Sequence, residues 1–222
     1  PPRSTLFPYT TLFRSFTTGD EEFLDALFNL GAKAEVALTP ESHDEAIRRA
    51  YGRPFSNADM EHNISYFIGL GGKVRLFFMV GLPGQTAESV RQTVKYSEYL
   101  FDKFAAYPKQ FDLTISVLTP FIDPGSMAFR NPEAHGYRLF TRTLADHANA
   151  MRQLHWKDVL GYETEHMTRS EIVDIGLEAS ERICHMRQLF GSLKPKHAQD
   201  YMRDLDSCRV PGAAKGEKKT EA

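Results

Sequence analysis

Residues 74–89 read VRLFFMVGLPGQTAES. The opening VRLFFMV, residues 74–80, is a nearly continuous apolar run of strand length. That is the pattern of a strand buried on both faces. GLPGQ, residues 81–85, turns the chain, and Thr86 stands where it caps a helix running from Ala87 to about Phe104. Glu88 falls in the first turn of that helix, where a negative charge is favoured. Strand, tight turn and capped helix in this order form half of a βαβ unit.

Outward from this stretch the alternation repeats. Upstream, EEFLDALFNL (21–30) puts Phe23, Leu24, Leu27, Phe28 and Leu30 near helical spacing, with Gly31 as C-cap. AEVAL (34–38) predicts a short strand closed by Thr39-Pro40, and residues 42–51 a short helix stopped by Gly52 and Pro54. Ser56 or Asn57 caps the next helix, which runs to about Leu70 and ends at Gly71-Gly72. Downstream, FDLTISVL (111–118) is a third strand. Strands separated by helices with short loops predict a parallel sheet. Three strands alone leave exposed edges, yet would sit comfortably as the later strands of a barrel. The pattern by itself leaves barrel and doubly wound sheet open. Past Leu118, residues 119–132 form a Pro/Gly-rich loop, and the stretch from His135 to about Trp156 reads as helical. Thr168 caps a helix from Ser170 to about Phe190, and a short amphipathic segment covers 197–205. The charged, small-residue end, 212–222, is expected to be disordered.

The chain has 222 residues, 41% hydrophobic and 25% charged, which are ordinary globular values. A net charge of -2 gives no electrostatic case for nucleic acid or an anionic membrane. No stretch approaches the roughly 20 apolar residues of a membrane span. Cys184 and Cys208 form neither a metal spacing nor a disulfide framework, so a reducing cytoplasm is the expected location. Residues 1–15 lack the order of a signal peptide. Within them TLFPYTTLFRS (5–15) resembles the in-frame translation of a common sequencing-library adapter. They are therefore expected to be non-native, with the protein proper entering at about Phe16 in mid-domain. The expected organisation is residues 1–15 adapter-derived, 16–134 the end of an α/β domain, 135–208 a helical C-terminal extension and 209–222 a disordered tail.

In parallel α/β folds, sites lie at the C-terminal ends of strands. LTPESHDEAIRRAYGR (38–53) leaves the first strand with a Thr-Pro-Glu-Ser cluster, and its Arg53 can reach back to a carboxylate over the strand end. The bland alternative is a Ser-capped helix with a solvated arginine. GLPGQTAES (81–89) has two glycines that allow close backbone approach, and a helix N-terminus that favours anions. It is neither a Walker loop nor a Rossmann fingerprint, and an ordinary turn explains it equally well. LTPFIDPGS (118–126) contains a good turn sequence in Asp123-Pro124-Gly125. None of the histidines shows a zincin spacing. His43 is the one placed near a strand end, and a surface or helix-packing role is the favoured reading for each histidine; if the strands belong to a barrel, His135, Tyr137, Glu163 and His166 lie in the stretch that would cover its mouth and could shape substrate choice.

Taken in order, TPESHDEAIRRAYGRPFSNADME, FFMVGLPGQTAES and LTPFIDPGS resemble the radical S-adenosylmethionine (radical SAM) superfamily, in the branch carrying a cobalamin-binding domain. FIDPGSMAFRNPEAHGYRLFTRTLADH and HWKDVLGYETEHMTRSEIV are similar to the C-terminal region of that branch. The resemblance covers roughly residues 16–190. It implies the C-terminal half of a (β/α) barrel followed by a helical extension. It implies an intact parent that cleaves S-adenosylmethionine with a four-iron four-sulfur cluster and starts radical chemistry on an unknown, small-molecule substrate, with cobalamin as a further cofactor. By the same resemblance, Glu41 or Ser42 makes the fourth-strand polar contact to S-adenosylmethionine. Arg53 meets its carboxylate, and the backbone of Gly81, Leu82 and Pro83 lines the adenine side. Some relatives carry an acidic residue for the ribose where this chain has Phe77. The CxxxCxxC loop that holds the cluster is absent. The chain is therefore expected to be inactive alone and to need the N-terminal half of its own barrel as partner. Two alternatives remain. One is a non-redox half-barrel scaffold that binds nucleotide or protein; the other is a different barrel enzyme with a phosphate-binding turn at 81–86.

Overall fold

The computed structural model describes residues 12–15, 18–29, 34–117 and 121–209. Gly31, Leu118–Pro120 and the 212–222 tail, all named above, lie outside them. The order begins β1 (Leu12–Ser15), α1 (Glu21–Asn29), β2 (Glu35–Glu41), α2 (Glu45–Ala50), α3 (Asn57–Gly69), β3 (Lys73–Val80), α4 (Ala87–Lys103) and β4 (Phe111–Val117). It continues α5 (Met127–Arg130), a 3₁₀ turn (Glu133–His135), β5 (Tyr137–Leu139), α6 (Leu144–Ala150), α7 (Trp156–Val159), β6 (Tyr162–Thr164), α8 (Arg169–Leu189) and α9 (Pro195–Arg209).

The first four strands form one parallel sheet in sequential order, β1-β2-β3-β4. The βαβ reading thus holds. No closed barrel is formed among the described residues. One row of side chains is continuous across the register: Val36 beside Val74 beside Phe111, then Leu38 beside Leu76 beside Leu113. That row joins a single core with Met60, Ile64 and Phe67 of α3, Val90, Leu100 and Phe101 of α4, and Ile172, Ile175 and Ile183 of α8. Along β3 and β4 the opposite row is open, with Lys73, Arg75 and Ser116 exposed and Phe77, Met79 and Thr114 half-buried, while Ala37 of β2 is buried on that side. The expectation that residues 74–80 are buried on both faces is corrected here. The helices pack against one face, so burial alternates along β3.

Three further boundaries differ from the sequence reading. β2 continues through Thr39-Pro40 to Glu41, because a β-bulge between Leu38 and Glu41 accommodates a residue with no N–H to donate. The stretch from His135 to Trp156 is not one helix but a 3₁₀ turn, the short strand β5 and α6. β5 pairs antiparallel with β6, and that distant pairing overrides local helix propensity. Finally, residues 12–15, set aside as foreign, pair in parallel along β2. The outer edge of β2 presents unsatisfied backbone groups, and an extended neighbouring segment satisfies them whatever its origin.

Candidate functional site

The ends of β2 and β3 meet the β5–β6 ribbon, and the polar groups collect there. The chain must leave β2 abruptly after the bulge. Glu41 does so at φ 68, and it is the one non-glycine residue with positive φ among those described. Such a backbone costs about 1–3 kcal/mol and persists only where its surroundings over-determine it. Arg53 supplies that restraint. Its Nε donates to the Thr39 carbonyl at 2.6 Å, and its guanidinium also pairs with the Glu41 carboxylate. Arg53 is therefore not the solvated arginine of the bland reading. Glu41 is 2% exposed, and its Oε2 has no hydrogen-bond partner. Burial raises the Glu41 pKa, only partly opposed by the Arg53 charge and hydrogen bond.

Ser42 is buried beside Glu41, and its Oγ accepts from the Asp44 amide at 3.1 Å. Asp44, not Ser42, caps α2, accepting from the amides of Ala46 and Ile47. The residue that sequence reasoning missed is Arg48. It is fully buried and donates to the carbonyls of Ser42, His43 and Phe55 and to Asn57. It staples the loop that carries Ser42 to the start of α3. The only sequence signal was its place on the apolar side of a short helix.

At the end of β3, Gly81 turns at φ 94 and lies against the ribbon; a Cβ there would stand 2.6 Å from the Tyr162 hydroxyl. Leu82 is fully buried, and Pro83 packs beneath Gly136. The amides of Gly81 and Leu82 both donate to Gln85 Oε1 at 3.0 Å, while Gln85 Nε2 donates to the Met79 carbonyl. The Thr86 amide is taken by Ser89 in a capping box. The phosphate-binding reading of 81–86 is weakened by this geometry, since side chains already hold the turn's free amides.

Tyr137 and Tyr162 come from the ribbon, with ring centroids 5.5 Å apart in an edge-to-face contact. Both are buried, and both hydroxyls lack a well-aligned hydrogen bond. Burial pushes both phenols well above their ordinary pKa. Tyr51 adds to the shift on each, and Tyr137 also feels Glu41. Glu41, Arg53, Tyr51, Tyr137 and Tyr162 thus form one polar cluster above the strand ends.

The other candidates are placed elsewhere. His43 Nδ1 lies 2.8 Å from Thr93 Oγ1, so its ring packs against α4, and burial lowers its pKa. His135 and His166 are exposed, and Glu163 pairs with Arg138 and accepts from the Arg169 amide. Asp123-Pro124-Gly125 is a surface turn closed by the Ser126 amide on the Asp123 carbonyl. Phe77 sits half-buried on the open face of β3. Cys184 lies buried in α8 and Cys208 lies in α9. No group of three or more histidine, cysteine or carboxylate side chains among the described residues is placed to hold a metal. No helix among them is long and apolar enough to cross a membrane. The chain matches no protein-family model, and no curated protein matches it.

Proposed function

We propose that this chain is the C-terminal half of a radical SAM (β/α) barrel with its extension. The intact enzyme would cleave S-adenosylmethionine with a four-iron four-sulfur cluster, use cobalamin as a further cofactor, and act on a small molecule. The observation that carries this reading is the return of Arg53 over the end of β2 onto a buried, strained Glu41. That is where the resemblance puts the contacts to the amino-acid end of S-adenosylmethionine. The first two of its phrases end neighbouring parallel strands, and the third follows the next strand, in a sheet covered by helices on one face. A barrel wall needs that one-sided cover; a doubly wound sheet is covered on both faces.

The cluster does not fit this chain, which offers neither three converging cysteines nor any other group of ligands among the described residues. No step of cluster chemistry is assigned to these residues. Their part would be binding. Glu41 Oε2 is a buried acceptor open to a polar contact, and Arg53 would exchange Glu41 for the carboxylate of the ligand. Ser42 would flank them, and the backbone of Gly81, Leu82 and Pro83 would line the adenine once Gln85 moved aside.

A non-redox half-barrel scaffold binding nucleotide or protein is the second reading. One observation favours it: Arg53 and the Gly81–Leu82 amides already have internal partners. Sequencing the source gene upstream of the Phe16 codon separates the two. A CxxxCxxC about one hundred residues earlier, roughly half a barrel away, supports the enzyme; the intact protein should then release 5′-deoxyadenosine under reducing conditions. An intact upstream frame without the motif sinks the enzyme reading.

A further inference from the structure

One surface segment reverses the usual placing of apolar residues. Five of the eleven large apolar or aromatic side chains that stay exposed among the described residues lie within 140–156: Phe140, Leu144, Met151, Leu154 and Trp156. Leu144 is 87% exposed and Leu154 82%. At about 100° per residue, Leu144, Ala148 and Met151 fall on one side of α6 and its C-cap, and all three are exposed. The helix is seated through Ala150 instead. Its apolar row therefore faces outward. The charge around the row is one-sided. Arg142 and Arg152 bracket it, both are exposed, and neither side chain makes an ion pair with another described residue. Arg138 is exposed too, though paired with Glu163. Asp146 is turned onto the amides of Arg142 and Thr143 at the helix start, Lys157 is held by Asp174, and Asp158 lies past Trp156. The net charge of -2 on the whole chain thus hides a local surplus of arginine.

We propose that residues 138–156 rest on an anionic phospholipid surface. Leu144, Met151, Leu154 and Trp156 would enter the boundary between headgroups and acyl chains, while Arg142 and Arg152 meet the phosphates. The form of the face favours lipid over protein. Leu144 and Leu154 stand out as separate projections. A fluid surface admits such projections anywhere, whereas a protein partner needs a matching pocket for each. Contact of this kind is peripheral and reversible; it spans nothing. The segment shares no residue with the proposed cofactor site, so the two readings stand or fall separately.

Trp156 is the only tryptophan of the chain, so its fluorescence reports on this face directly. The full 222-residue chain is titrated with vesicles of phosphatidylcholine alone and of phosphatidylcholine mixed with phosphatidylglycerol. With the mixed vesicles the emission should move to shorter wavelength, and the chain should sediment with them. Binding to phosphatidylcholine alone should be about tenfold or more weaker, and added salt should weaken the mixed case. Leu144→Gln/Leu154→Gln changes two highly exposed side chains. It should keep the wild-type circular dichroism and urea midpoint, yet lose binding. Arg142→Gln/Arg152→Gln should weaken binding about tenfold or more. The proposal is overturned if the chain ignores both vesicles, which would leave the face to an acidic protein surface. It is overturned equally if both vesicles bind alike, or if the leucine variant binds as the wild type does.

Discussion

Arg48 and Arg53 flank the end of α2 and do different work. Arg48 is spent on backbone carbonyls and is purely structural. Arg48→Met would leave the buried Ser42 and Phe55 carbonyls without this donor, while the His43 carbonyl keeps Asn57 Nδ2. At about 1–3 kcal/mol for each unsatisfied group, a loss of roughly 2 kcal/mol or more is expected in urea unfolding. Arg53 instead holds a carboxylate whose pKa is raised, burial outweighing the attraction of the guanidinium. A raised carboxylate binds its proton more tightly in the folded state. Glu41 therefore favours folding at low pH, and that benefit is lost as pH rises from its ordinary 4.5 through the raised value. Glu61 has the opposite sign. Burial raises its pKa, but hydrogen bonds from Lys103, Tyr96 and Tyr99 outweigh that and hold it below the ordinary value. Its contribution is present above pH 4.5 and lost on acidification through its own lowered pKa. Urea midpoints measured across pH should flatten above 4.5 in Glu41→Gln and below it in Glu61→Gln. Unchanged profiles in both would refute the assignment.

At the scale of elements, the ribbon is clamped to the sheet through glycines. Gly81→Ala would combine positive φ with a methyl 2.6 Å from the Tyr162 hydroxyl, for an expected cost of about 1–3 kcal/mol. Tyr162→Phe in the same chain should recover the steric part and leave the backbone part, which a double-mutant cycle in denaturant resolves. Helix α8 approaches β4 in the same way, since a Cβ on Gly176 would stand 2.4 Å from Val117 Cγ2. Gly176→Ala should therefore destabilise, although alanine is the better helix former.

The sheet as a whole has helices on one face, a half-open second face and an outer edge covered by the four residues of β1. Deleting residues 1–15 would bare the backbone groups along β2. An exposed edge is a template for pairing with another chain, so the shortened protein should aggregate at concentrations where the full chain stays dispersed, as light scattering would show. Anaerobic reconstitution of the chain with iron and sulfide should give no stoichiometric cluster and none of its visible absorbance. A stoichiometric cluster would contradict the absence of a ligand set.

The alternation of apolar runs with Gly, Pro and capping residues determined the parallel βαβ order and most helix starts, while Arg53 was left open between a solvated side chain and a return to the end of β2. The strand order and helix starts are local or nearly local in sequence, so propensity and spacing carry them. Thr86 and Thr168 made their capping boxes, and Ser56 capped α3, for the same reason. Tertiary structure alone decided the rest. It set which face of β3 is open, because alternation shows only where helices dock. It made Arg48 a staple and Gln85 the partner of the Gly81 turn, because each depends on carbonyls and amides brought close by folding. It paired β5 with β6 and set Tyr137 and Tyr162 over Glu41. Strands of three residues carry no periodicity to read, and contacts between residues so far apart in the chain exist only once the core has formed.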